Sequence, residues 1–237
     1  MNDALIKSYQ SHFLTLFKNV RKHFRSQEFG AERAIISMTT PIMVLETWRA
    51  DGHENDIPLL NECVKNTILA SATVILGWKK TAYLQLRVSL ESILYGVILL
   101  KDKKVYQEFL RNGTVPYRKV PSLLKEFANF NSVSKNVEAE FKIADKVNAI
   151  YTDLSEWSHT LGTQFLSDLS ILAESRIKGK AITETKEKFR SISRYGTMIY
   201  LSIRPSILGD LSQANQRYLL QNLSISERKR FRDILNT

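Results

Sequence analysis

The sequence predicts an all-α protein: a multi-helix bundle of eight to ten helices, built around two central apolar helices between Leu59 and Leu100. Three observations predict it. Apolar residues recur at steps of three and four through most of the chain, the period of a helix with one buried face. Nine glycines and five prolines in 237 residues are about half the ordinary share of turn-formers. Few turns require long elements, and long elements in globular chains are helices. Finally, no hairpin signal with alternating flanks occurs, Asn112-Gly113 standing by itself.

From Asp3 to Arg25, Leu5, Tyr9, Phe13, Leu16, Phe17, Val20 and Phe24 draw an apolar stripe on a first helix. Lys7, Lys18, Arg21, Lys22 and Arg25 lie opposite, and Gly30 follows as a break. A second helical region runs from Ala31 to Ala50, with Pro41 starting its later half after Thr39-Thr40. The polar run from Asp51 to Asp56 reads as a surface loop whose last residue caps a helix, with Pro58 near the first turn. Leu59 to Leu100 then reads as two long helices, or one bent near Gly77-Trp78, apolar nearly all round as central helices are.

Lys101 to Lys104 end that region, and a short helix from Val105 to Arg111 leads into the irregular segment Asn112 to Pro121. Ser122 is expected to cap a helix through Phe130. Val137, Phe141, Ala144, Val147, Ile150, Tyr151, Leu154 and Trp157 predict one long helix from Ser134 to His159. Thr160 to Ile177 has no clear type. Thr183-Glu184 opens a helix that Arg204-Pro205 ends, and two short helices, Gln213 to Leu223 and Ser226 to Leu235, close the chain, the second capped by Ser226. The whole reads as one domain over residues 1–237, with the 112–121 loop the one place where it could divide into 1–112 and 122–237.

Composition narrows the function classes. Apolar residues at 43% and charged residues at 24% are the proportions of a folded chain. The lone Cys63 cannot form an internal disulfide or a cysteine-based zinc cluster, and sits in an apolar stretch as a small buried residue would. A charged amphipathic pattern follows Met1 where a signal peptide needs an apolar run. Lys79, Lys80, Arg87 and Glu91 make the most apolar region too polar for a lipid-facing span. A cytoplasmic protein without membrane contact is expected.

Thirty-four Lys and Arg against 24 Asp and Glu leave +10, which points to an anionic partner, a nucleic acid or an acidic protein. Lys18, Arg21, Lys22 and Arg25 in the first helix, and Arg228, Lys229, Arg230 and Arg232 in the last, are the candidate phosphate-neutralising residues. A third concentration comprises Lys178, Lys180, Lys186, Lys188, Arg190 and Arg194. Exposed apolar residues on the first helix would also suit a second copy of the chain, making a homo-oligomer possible.

Two groups could carry chemistry. Arg87 and Glu91 share a helix face amid Leu84, Leu86, Leu90, Ile93 and Leu94. A charge withdrawn from water costs several kcal/mol unless paired, so the two should satisfy each other, either locking helix register or lining a polar pocket. Tyr151, Ser155 and His159 recur every four residues and share a stripe; facing Arg87 and Glu91, they would make an acid–base or phosphate pocket. Alternatively His159 ends its helix, where the dipole favours a cation. No glycine-rich phosphate loop, His-Glu-x-x-His zinc motif or Gly-x-Ser-x-Gly elbow occurs, so no metal or cofactor is expected.

Trp78, Leu86-Arg87-x-x-Leu90-Glu91 and Tyr151-x-x-Leu154-Ser155-x-x-x-His159 together resemble prokaryotic helical proteins placed near the HEPN (higher eukaryotes and prokaryotes nucleotide-binding) superfamily, over residues 60–165. The resemblance implies a helical scaffold found with mobile elements and phage defence, whose active members are metal-independent ribonucleases. Those members carry an Arg followed by His after four to six intervening residues. None of His12, His23, His53 and His159 follows an Arg at that spacing, Arg49 to His53 leaving three residues between. The expectation is therefore a non-enzymatic interaction module of a defence or mobile-element system, binding nucleic acid or a protein through its basic surface. The alternative is a divergent ribonuclease or toxin using Arg87, Glu91 and His159.

Overall fold

The computed structural model describes residue 18 and residues 30–52, 58–75, 79–159 and 179–236. The expected first helix, apart from Lys18, and the 160–177 region lie outside them, as do Asp56 and Gly77-Trp78. The described residues form eleven helices and no strand: α1 (Gly30–Ala50), α2 (Leu60–Ile75), α3 (Lys79–Lys101), α4 (Lys103–Asn112), α5 (Val120–Ala128), α6 (Ser132–Phe141), α7 (Ile143–His159), α8 (Gly179–Ile203), α9 (Ile207–Asp210), α10 (Gln213–Leu219) and α11 (Ile225–Leu235).

The centre is α3, which packs against α2, α5, α7 and α8. Its Leu86, Leu90, Ile93, Leu94 and Val97 are fully buried. It is long and apolar enough to cross a membrane, and 61% of its most apolar window is buried inside the protein. Helix α2 lies antiparallel to it: Ser89 Oγ donates to the Cys63 carbonyl at 3.2 Å, and at the far end Gly96 meets the Pro58 carbonyl. Leu60, Cys63, Val64 and Ala70 of α2 are buried while Ile68 and Leu69 are half exposed, so of the two expected central apolar helices α3 is the one buried as a core helix. Burial pushes the Cys63 thiol up to about 12, which removes it as a nucleophile.

Several boundaries differ from the sequence expectation, each for a local reason. Pro41 does not start a new segment, because α1 runs through it. A proline cannot donate to the carbonyl four residues back, and the Ser37 carbonyl instead accepts from Gln221 Nε2 at 2.5 Å. Beside it the Met38 carbonyl accepts from Asn222 Nδ2 at 2.9 Å. Side-chain amides just beyond α10 thus satisfy the helix at its proline, a contact no local pattern announces. Likewise, α2 starts at Leu60, not at Pro58; Pro58 and Leu59 form the turn before it, with Leu59 at φ 62° and its carbonyl accepting from the Cys63 amide.

Ser122 lies inside α5, since Pro121 is suited to the first turn and Lys119 takes the cap position. The long helix expected from Ser134 is two helices. Lys142 turns left-handed at φ 49°, and the Glu138 carboxylate accepts the Ala144 amide at 2.9 Å to start α7. Asn131 and Ser134 form the capping box of α6. At the C-terminus Ser224, not Ser226, caps α11, because Ser224 and Glu227 have the spacing of a reciprocal box. Further, α8 begins at Gly179 rather than Thr183, α10 stops at Leu219, and the one-turn α9 raises the count above ten.

Candidate functional site

Arg87 and Glu91 stand one turn apart on α3, where α7 crosses it. Arg87 Nε donates to Glu91 Oε1 at 3.1 Å. Across the helix interface, Tyr151 completes a triad: its hydroxyl donates to the same Glu91 oxygen at 2.9 Å and accepts from Arg87 Nη2 at 3.0 Å. Burial works against the Arg87 charge, but Tyr151 and Glu91 outweigh it and raise its pKa. Burial, with the bond to Glu91, also raises Tyr151, keeping the phenol a donor. Oε1 has both lone-pair directions occupied, while Oε2 has no partner among the described residues.

The triad borders an open cleft of about 320 Å³, at the small end of ligand-site volumes. Glu91 and Tyr151 form its polar wall, Leu59 and Val120 part of its apolar wall, and Tyr117 and Arg118 its rim. Tyr95 holds that rim in place, its hydroxyl accepting the Arg118 amide at 2.9 Å and donating to the Arg118 carbonyl at 3.1 Å. Leu59 reaches the cleft with its backbone in the left-handed region, a conformation costly for a branched side chain.

The shelter of the triad gives a measurable expectation. Arg87 and Glu91 side chains are 22% and 28% exposed, against 57% and 50% for the Lys65–Glu62 pair on α2. A double-mutant cycle by urea unfolding should give a coupling of about 1 kcal/mol for Arg87 and Glu91, and under about 0.5 kcal/mol for the exposed pair. Equal couplings would show that the triad is as wet as the surface.

Ser155 Oγ donates to the Tyr151 carbonyl on its own helix at 2.7 Å. His159 is the last residue of α7, about 12 Å further along the axis than Tyr151, and its side chain lies outside the described residues. At that end Lys79 Nζ sits 4.0 Å over the Trp157 ring and 3.0 Å from Glu184, and Lys188 pairs with Asp153. Burial, then the charge of Lys79, lowers the Lys188 pKa. The sequence marks Lys79 and Lys188 only as basic residues and Trp157 as apolar, and does not show which cation stacks on the ring.

Of the expected phosphate-neutralising residues, Arg21, Lys22 and Arg25 lie outside the described residues, and Lys18 is an exposed helical residue. On α11, Arg230 pairs with Glu140, and Arg228 Nε donates to the Leu223 carbonyl at 2.9 Å, closing the turn before the helix. Lys229 and Arg232 are exposed and make no ion pair among the described residues; with Ile225 and Arg228 they line a shallow hollow. The third concentration is largely consumed internally: Lys188 with Asp153, Arg190 with Glu187, and Arg194 with Glu227. Lys178 and the side chain of Lys180 lie outside the described residues.

A cationic stretch that the sequence reading passed over follows α3. Lys103, Lys104, Arg111 and Lys119 are exposed and make no ion pair among the described residues, and Tyr117, between Arg111 and Lys119 in the chain, is 83% exposed. Among the described residues, no group of three or more His, Cys, Asp or Glu could hold a metal ion. The chain matches no family model, no curated protein and no solved structure.

Proposed function

We propose that the protein is a non-enzymatic, cytoplasmic module that binds nucleic acid through its basic surface, in a prokaryotic defence or mobile-element system. Its scaffold on this reading is a bundle organised on the hairpin between Leu59 and Leu100. One observation carries the proposal: the chain has ten more Lys and Arg than Asp and Glu, and exposed cations stand outside any ion pair among the described residues while several carboxylates are committed to internal pairs. Glu126, Asp153, Glu227 and Glu140 each hold a Lys or Arg of the chain, while Lys103, Lys104, Arg111, Lys119, Lys229 and Arg232 face solvent. Cations so placed neutralise phosphates without reading sequence. The defence setting draws on the motif resemblance around Arg87, Glu91 and Tyr151. Fluorescence anisotropy with labelled single-stranded and duplex oligonucleotides at low ionic strength tests the binding. Saturable binding is expected, and its absence for every strand removes the proposal.

A divergent ribonuclease using Arg87, Glu91 and His159 is the second reading, favoured by the meeting of Arg87 and Glu91 beside an open cleft. It expects RNA cleavage that His159→Ala abolishes; cleavage that survives the substitution ends it.

A further inference from the structure

The cleft beside Glu91 has a donor, acceptor and shape pattern that selects a ligand class. We infer that it is a base-binding site for single-stranded nucleic acid, in which Tyr117 stacks on a nucleobase, Glu91 Oε2 accepts from the base's exocyclic amine, and Arg118 meets the adjoining phosphate. The inference rests on the proposed nucleic-acid binding and gives it a specific locus.

Each part follows from the geometry. Glu91 lines the cleft, and with Oε1 filled by Arg87 and Tyr151, Oε2 is the oxygen left for a ligand. A ligand there must bring a hydrogen-bond donor. Leu59 and Val120 supply an apolar wall for a flat body. Tyr117 projects almost wholly into solvent, although a tyrosine with no contact of its own is usually partly covered. Aromatic residues held this way beside cations are the stacking platforms of single-strand binders. The Tyr95 hydroxyl pins the rim by both backbone groups of Arg118, so the backbone next to Tyr117 is fixed before any ligand arrives. Arg118 itself is loosely held, its guanidinium 3.6 Å from Glu126, whose carboxylate is closer to Lys101. Lys119 and Arg111 continue the cationic track on either side along the chain.

Donor at one end, planar apolar body and anion at the other describe a nucleotide. A carboxylate also discriminates among bases. Cytosine, adenine and guanine offer an exocyclic amine, whereas uracil and thymine have none, and their single N3–H lies between carbonyl oxygens that repel the carboxylate. The base preference should therefore be for the amine-bearing bases, cytosine and adenine among them, over uracil and thymine.

The test measures anisotropy of the full chain with labelled homo-oligomers of C, A and U, as RNA and with the corresponding DNA, the thermal midpoint of each variant being checked alongside. Oligo-C and oligo-A are expected to bind several-fold tighter than oligo-U. Tyr117→Ala should weaken all strands about tenfold, and Glu91→Gln should narrow the base preference, because an amide can also donate to a carbonyl. Strands that bind equally well to both variants, with no base preference, overturn the cleft assignment while leaving the basic-surface proposal standing. Failure of every strand to bind the unaltered chain overturns both.

Discussion

Replacing Gly96 by alanine is expected to destabilise the protein by about 2 kcal/mol, whereas the same change at Gly196 should be close to neutral. Both glycines lie inside long helices, α3 and α8, where alanine gains about 1 kcal/mol of helix propensity. A methyl carbon at either site would stand 2.7 Å from its nearest neighbour. The neighbours differ. At Gly96 it is the Pro58 carbonyl oxygen, part of a turn fixed by the start of α2, so relief requires the hairpin to open. At Gly196 it is the Cδ1 tip of Ile93, which can rotate away. Urea unfolding of the two variants compares them directly. Equal losses would mean that the α2–α3 contact at Pro58 is not a fixed feature of the fold. Because Leu59 of that turn lines the cleft, Gly96→Ala should reach the proposed base site as well.

Charge reversal on α11 carries the largest expected effect on binding. Lys229→Glu with Arg232→Glu should weaken single-strand binding about a hundredfold at about 50 mM salt, from two lost phosphate contacts and the repulsion that replaces them. Folding should be unaffected, since both side chains are exposed and make no ion pair among the described residues. Reversal of Arg190 alone provides the contrast. Arg190 is engaged with Glu187, so Arg190→Glu should change affinity far less.

Much of the architecture was legible in the chain because helix formation is written locally. The three-and-four spacing of Leu86, Leu90, Ile93 and Val97 marks the buried side of α3, and the scarcity of glycine and proline rules out a turn-rich fold. The errors share a cause: they lie where a side chain from elsewhere, or a special backbone angle, decides the outcome. Gln221 and Asn222 stabilise α1 at Pro41 from far along the sequence. Lys142 splits a pattern whose apolar spacing gives no sign of a break, because a left-handed lysine carries no compositional mark.

The site was legible in part for the same reason. Burial alone required Arg87 and Glu91 to be satisfied, and their spacing made them partners. Tyr151 was in the expected stripe, and its meeting with both depends on how α7 crosses α3, which spacing within one helix cannot give. Tyr117 and Arg118 went unremarked because an irregular segment between Gly113 and Lys119 has no period to read. The anchoring by Tyr95, which holds the backbone at Arg118, comes from a helical residue 23 positions earlier and has no local signal.

The claim that exposed, uncompensated cations give this protein its partner is tested most directly by the salt dependence of single-strand affinity. Anisotropy titrations across a range of salt concentrations should give a straight line of log affinity against log salt, with a slope of about −0.7 for each phosphate neutralised. The Lys229→Glu, Arg232→Glu variant should have a slope shallower by about 1.4. Affinity that does not change with salt, or a slope that the variant leaves unaltered, would contradict the account.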